Sequence, residues 1–221
     1  MKGYLTKIIE KNLVDIPEEK RNYIGASSIG SDCMRQVWYE FNGFEGEPFT
    51  QKTKRIFQTG KNLESMIIDI LNNCGLNVVD SWWDLKDSEL PYFRGHVDAV
   101  WCDDDGVGQH IIEIKTAKDS SFKQFIKDGV KKWSPRYYAQ IQSYMGMSGI
   151  YSSYILVLNK DNSDLFDEKI SFDPDYYEQL KLKARMIHDS KTEPPKVSSS
   201  PSWYLCKMCK FRKVCHDTQT K

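Results

Sequence analysis

The sequence predicts an α/β fold: a mixed sheet with helices on its faces, followed by a small cysteine-rich C-terminal appendage. Three observations predict it. The apolar period is helical before residue 75 and switches to two afterwards. Ser134-Pro135 and Asp173-Pro174 each place a capping residue before a proline suited to the first helical turn. The run KTEPPKVSSSPS at 191–202 then reads as a linker, with three cysteines beyond it.

In chain order, residues 27–41 read as one helix capped by Ser27 or Ser28, because Ile29, Cys33, Val37 and Phe41 recur on one face. A turn-rich stretch, NGFEGEPF, follows. Residues 53–74 carry the strongest helical stripe, made by Ile56, Phe57, Leu63, Met66, Ile67, Ile70 and Leu71, with Gly75 as its stop. Residues 77–85, 92–101 and 109–116 read as three consecutive strands, the last two joined by a turn at Asp103, Asp104, Asp105 and Gly106. A short helix is expected over 119–128 and a longer one from Ser134 to Met147. Strands at 151–158 and 166–172 precede a helix from Asp173 to Ser190. Residues 1–190 are thus the expected core and 191–221 the linker and tail.

The chain has 221 residues, enough for one domain with a substantial core. No apolar run approaches the roughly 18 residues that span a bilayer. The first twenty residues mix charge with apolar side chains, unlike a secretory signal. A membrane partner is therefore not expected, and a cytoplasmic location is. Lys plus Arg and Asp plus Glu both total 31, so net charge is zero. Zero by itself argues against nucleic acid, yet the charge is unevenly placed. Residues 114–136 hold seven basic side chains against two acidic ones, residues 206–215 four against none, and residues 80–105 two against eight. The zero is a cancellation and leaves room for a DNA-binding face.

Of six cysteines, Cys74 and Cys102 stand alone in apolar surroundings and read as buried small hydrophobes. Cys206 and Cys209 form a C-x-x-C, which sets two thiols on one tight turn, and Cys215 follows after five residues. Cys33 would be a fourth ligand. Zinc and an iron–sulfur cluster are both open to four thiolates.

Arg94-Gly-His-Val-Asp98 and Ile111-Ile-Glu-Ile-Lys-Thr116 carry the most specific chemistry. Strand alternation points Glu113 and Lys115 to one face, and hairpin pairing would bring Asp98 to the same face. Two carboxylates and an ammonium are costly on an apolar sheet unless a hard divalent cation joins them.

This D…E-x-K pattern resembles the PD-(D/E)XK nuclease superfamily. Glu64 in the preceding helix, Gln140 and Tyr144 spaced as Q-x-x-x-Y in the following one, and the pattern Cys33…C-x-x-C-x5-C make it similar to the RecB-like branch that carries an iron–sulfur cluster. CRISPR-associated RecB-like exonucleases, AddB-type nuclease domains and phage recombination exonucleases share these features. The sequence departs from the pattern at Glu64, often His in RecB-like relatives, and at Met34, often Pro.

The resemblance implies a restriction-endonuclease-like core. It implies a DNA exonuclease dependent on Mg²⁺ or Mn²⁺, cleaving single-stranded or duplex ends in recombination, repair or spacer acquisition. An endonuclease or junction resolvase, or a non-catalytic DNA-binding assembly subunit, are the alternatives. Asp98, Glu113, Glu64 and the backbone carbonyl of Ile114 would hold the metal. Lys115 would orient the attacking water or offset charge at the phosphate. Gln140 and Tyr144 would bind the substrate backbone or support Lys115. Cys33, Cys206, Cys209 and Cys215 would hold a 4Fe-4S cluster, with zinc the alternative. Partners would be DNA and a recombination or CRISPR-adaptation protein.

Overall fold

The computed structural model describes residues 3–12, 21–80, 84–103 and 108–217. Its elements are α1 (Tyr4–Asn12), β1 (Ile24–Gly25), α2 (Ala26–Ile29), α3 (Met34–Phe41), α4 (Gln51–Asn73), β2 (Asn77–Asp80), β3 (Asp84–Lys86), β4 (Phe93–His96), β5 (Ala99–Cys102), β6 (Gln109–Ala117), α5 (Asp119–Trp133), α6 (Pro135–Ser148), β7 (Ser152–Asn159), β8 (Leu165–Ser171), α7 (Pro174–Asp189), α8 (Tyr204–Lys207) and α9 (Arg212–His216). A five-stranded mixed sheet runs β2-β5-β6-β7-β8, parallel only between β6 and β7. A three-stranded sheet runs β1-β4-β3. The α/β class with a helix-flanked mixed sheet is as expected.

The local signals hold where they are local. Ser134 Oγ accepts from Tyr137 N and Asp173 Oδ1 from Tyr176 N, each opening a helix with Pro at its start. Thr50 caps α4 in the same way. Glycine at position 129 bends α5 with φ of 70°, and Glu168 then accepts from Val130 N. The helix expected to end at 128 therefore runs on to Trp133.

Four expectations are corrected. The single helix over 27–41 is two helices. It breaks after Ile29 because Gly30 presses against α6: a Cβ there would lie 2.8 Å from Ala139 Cβ and from Arg136 Cα. The first of the two is preceded by Gly25, so neither Ser27 nor Ser28 caps it. The expected strands 77–85 and 92–101 each divide between the two sheets. Residues 81–83 and the Asp104, Asp105 and Gly106 of the expected turn lie outside the described residues. Cys74 is exposed at the end of α4, and Cys102 is half-buried. The apolar stripe of α4 is partly covered. Ile67 and Ile68 are buried, whereas Ile56 and Phe57 are more than half exposed.

Three apolar clusters hold the layers together. α5 and α6 pack on one face of the large sheet through Phe125, Ile141 and Met145 against Ile111, Ile155 and Val157. α4 covers the other face through Ile67 and Ile68 against Ile112 and Ile114. The third cluster joins α2, α3 and α7 and takes in Phe211 from the tail, 1% exposed and 5.3 Å from the Tyr39 ring. The tail is further tied by Glu47 N donating to Lys210 O at 2.6 Å, and Arg35 Nε donates to Pro194 O in the linker.

Candidate active site

The site lies where the chain crosses from one sheet to the other. β4 ends at His96 and β5 begins at Ala99, so Asp98 occupies the break. The register of β5 on β6 pairs Ala99 with Ile112, which sets Asp98 opposite Glu113. Cross-strand partners share a face, and Lys115 is two residues further along it. Ile112 and Ile114 face α4 instead. Alternation alone therefore produces one polar face and one apolar face on a single strand.

The contacts are close. Asp98 Oδ2 accepts from Ile114 N at 2.9 Å, which locks the carboxylate to the β6 backbone. Lys115 Nζ pairs with Glu113 Oε1, lies 3.8 Å from Asp98 Oδ2 and donates to Ile114 O at 3.1 Å. It also sits 5.3 Å from the Tyr137 ring. Glu113 is fully buried, and its Oε2 has no hydrogen-bond partner among the described residues. Burial pushes its carboxyl up to about 8; Asp98 adds to this and Lys115 opposes it. Repulsion from Glu64 on α4 is a smaller contribution in the same direction. Burial pulls the Lys115 ammonium down, but Glu113 and Asp98 outweigh it and hold the group above its ordinary value.

Gln140 and Tyr144 are both buried, beneath the site rather than on its surface. Gln140 Nε2 donates to Tyr144 Oη at 2.8 Å. Burial raises the Tyr144 phenol well above its ordinary value, and Glu113 adds to the effect. The Tyr144 ring rests against the backbone of Gly95, where a Cβ would lie 2.5 Å from Cε1. Tyr137, not singled out from sequence, stands three residues before Gln140 and seven before Tyr144. That i, i+3, i+7 spacing on α6 was the available signal. His96 is half exposed, with Nε2 3.7 Å from Asp84 Oδ1.

The four predicted cluster cysteines border one opening beside the tail. Cys33, Cys206, Cys209 and Cys215 line one solvent-open pocket together with Tyr39 and Phe211. None of the four is in a disulfide. Burial pushes Cys209 up to about 11, with the thiols of Cys33, Cys215 and Cys206 adding to it. Burial also raises Cys206, and Cys33 and Cys215 contribute. Arg35 Nη1 reaches Cys215 Sγ at 3.8 Å.

Among the described residues, no three His, Cys, Asp or Glu side chains are drawn close enough to cage a metal ion. For a hard divalent cation this is no misfit, since Mg²⁺ is held by one or two carboxylates and completes its shell with water and substrate phosphate. The unpartnered Glu113 Oε2 beside Asp98 fits that pattern. No helix among the described residues is long and apolar enough to cross a membrane.

Solved structures share this fold. An alkaline exonuclease from Laribacter hongkongensis superposes with a TM-score of 0.58 at 17% identity, covering 76% of this chain and 87% of that one. The same exonuclease in complex with dAMP gives 0.60 over the same shares. The protein SSO0001 gives 0.57 at 20% identity, covering 98% of this chain and 95% of that one. No curated protein matches the chain. A family model does match, over residues 18–151, which takes in Glu64, Asp98, Glu113, Lys115, Gln140 and Tyr144. On that match, across more than half of its length, the chain belongs to the YqaJ-like viral recombinase domain family of the PD-(D/E)XK nuclease superfamily.

Proposed function

We propose that the chain is a divalent-metal-dependent DNA exonuclease acting on DNA ends in recombination. One observation carries the reading: Asp98, Glu113 and Lys115 converge at a strand break, with a fully buried Glu113 whose Oε2 lacks a hydrogen-bond partner among the described residues. Asp98, Glu113 and Glu64, with the Ile114 carbonyl, would hold Mg²⁺ or Mn²⁺. Bound there, the ion supplies a water of lowered pKa and positive charge at the scissile phosphate. Lys115 holds its ammonium between both carboxylates, ready to donate to an incoming water or phosphate oxygen. Gln140 and Tyr144 act as positioning residues, buttressing Glu113 from below. The dAMP bound by the Laribacter exonuclease is consistent with a nucleotide product.

Labelled linear DNA and closed circles, incubated with Mn²⁺ with and without chelator, test this. Linear DNA should be degraded, closed circles left intact, and chelator should stop the reaction. Asp98→Ala or Lys115→Ala should abolish cleavage without lowering the melting temperature by more than a few degrees. Undiminished cleavage by either variant would refute the site.

The cysteine-lined cavity supports a second assignment, a 4Fe-4S cluster that staples residues 191–221 onto the 1–190 core. Thiols raised by burial must give up their protons to bind it, so the cluster would bring both charge balance and cross-linking. Purified protein should be brown, with iron and sulfide near four per chain. Colourless protein holding one zinc would overturn the assignment. A location in the cytoplasm, and a protein partner in recombination or spacer acquisition, follow from this reading as further proposals.

A further inference from the structure

The first half of α4 overhangs the sheet. The stripe that packs Ile67, Ile68 and Leu71 against the strands continues N-terminally through Glu64 to Phe57. There the cover ends: Phe57 is 55% exposed and Ile56 56%, and a Cβ at Gly60 would meet nothing within 4 Å. Phe49 stands edge-on to Phe57 with ring centroids 5.2 Å apart. From the tail, Lys210 Nζ lies 5.7 Å from the Phe49 ring and 5.2 Å from Phe211. The exposed Phe57 ring and the half-buried Phe49 ring thus connect the Glu64 turn to the cysteine tail.

The charges around these rings run against helix physics. Lys52, Lys54 and Arg55 crowd the start of α4, whose first turn carries no acid. The amino end of a helix is the positive end of its dipole, so cations there are unfavourable for the helix alone. No acid occurs in α4 before Glu64. Arg55 Nη1 is buried without a hydrogen-bond partner among the described residues. Aromatic faces for bases, set among cations for phosphates, are the means by which single strands are bound without sequence preference. Phe57 precedes Glu64 by seven residues on the same face of the helix. That is about 10 Å along the axis, or roughly three nucleotides at the 3.4 Å stacking repeat.

We propose that Phe57, Phe49 and Ile56 on the overhanging start of α4, with Lys210 of the tail, form a stacking platform for single-stranded DNA beside the catalytic carboxylates. It rests on the nuclease reading above and adds the strand state that the enzyme grips. Bases lie against Phe57 and Phe49, while the backbone follows the Lys52, Arg55 and Lys210 side.

Fluorescence anisotropy in EDTA with a labelled single-stranded oligonucleotide and a blunt duplex tests the platform. Phe57→Ala should weaken single-strand binding about tenfold or more. It should change duplex binding less than twofold and leave the melting temperature unaltered, since the ring is exposed. Phe57→Trp should restore binding. Unchanged single-strand affinity in Phe57→Ala would overturn the proposal. Equal losses for both DNAs would overturn it too, since they would mean a general loss of grip. A dimer in gel filtration that disappears with Phe57→Ala while DNA affinity stays constant would assign the face to a second copy and likewise overturn it. Parental cleavage in Mn²⁺ separates the two levels. Cleavage together with normal binding by Phe57→Ala removes only the platform. No cleavage together with weakened binding removes only the nuclease.

Discussion

Glu113→Gln tests the electrostatics of the site most directly. Glu113 is fully buried, and its carboxyl is raised from an ordinary 4.5 to about 8 by burial first and Asp98 second. Below pH 4.5 the group is protonated in both the folded and the unfolded chain and has no effect on stability. Between 4.5 and 8 the unfolded chain releases the proton while the folded chain retains it, so stability falls as pH rises, by about 1.4 kcal/mol per unit. The loss at pH 7 is on the order of 3 kcal/mol. Lys115 stays charged throughout, so its attraction is already part of that balance. Glutamine imitates the protonated acid and has no such pH dependence. In chelator, Glu113→Gln should therefore melt close to the parent at pH 4.5 and about 5–10 °C higher at pH 7, taking roughly 2–4 °C per kcal/mol for a chain of this size. Thermal melts by circular dichroism at the two pH values provide the measurement. A variant whose melting follows the parent's across this range would refute the account of a carboxylate strained by burial. The same variant should be inactive with Mn²⁺, because the amide cannot replace an anionic ligand.

Three further outcomes follow from the packing. Tyr144→Phe leaves Gln140 Nε2 without its acceptor, so the protein should lose about 1–3 kcal/mol in urea melts. Its cleavage should slow through kcat rather than KM. Gly95→Ala would drive a methyl to 2.5 Å from the Tyr144 ring and 2.9 Å from Ala26 Cβ. A loss of about 1–3 kcal/mol by the same melts is expected. Phe211→Ala empties a buried position in the cluster shared by α3, α7 and the tail, at a cost of about 3–5 kcal/mol. Limited proteolysis should then cut within 191–202 faster than in the parent.

The sequence speaks clearly where chemistry is local. Ser134 and Asp173 cap their helices with their own oxygens, and Pro at the next position removes an amide that would lack a partner anyway. Glu113 and Lys115 share a face because a strand alternates, and Asp98 joins them through one hairpin register. The sequence is silent where distant segments decide. β4 leaves the large sheet because Ile24 and Gly25, some seventy residues earlier, pair with Phe93 and Arg94, and β3 takes its other edge. Helix 27–41 breaks because Gly30 meets α6, which no helical period encodes. Gln140 and Tyr144 are buried although polar, because each satisfies the other. Cys33 lines the same pocket as the tail cysteines through packing of α3 and α7, with Phe211 as the anchor; spacing alone left that placement open.

Charge counting also needed the fold. The largest basic run, 114–136, has structural reasons of its own. Lys123 pairs with Asp119 at 2.8 Å, Lys132 with Asp128 at 3.2 Å, and Lys131 lies 3.7 Å from Asp173. Lys131 and Lys132 also occupy the last turn of α5, where the helix dipole favours cations. These charges are accounted for without any ligand. The smaller group at the start of α4 has the opposite placement, at the end of a helix that repels cations, beside the exposed Phe57 ring. Position relative to the helix axis, rather than the number of charges, therefore distinguishes a basic segment that supports its own helix from one suited to a polyanion.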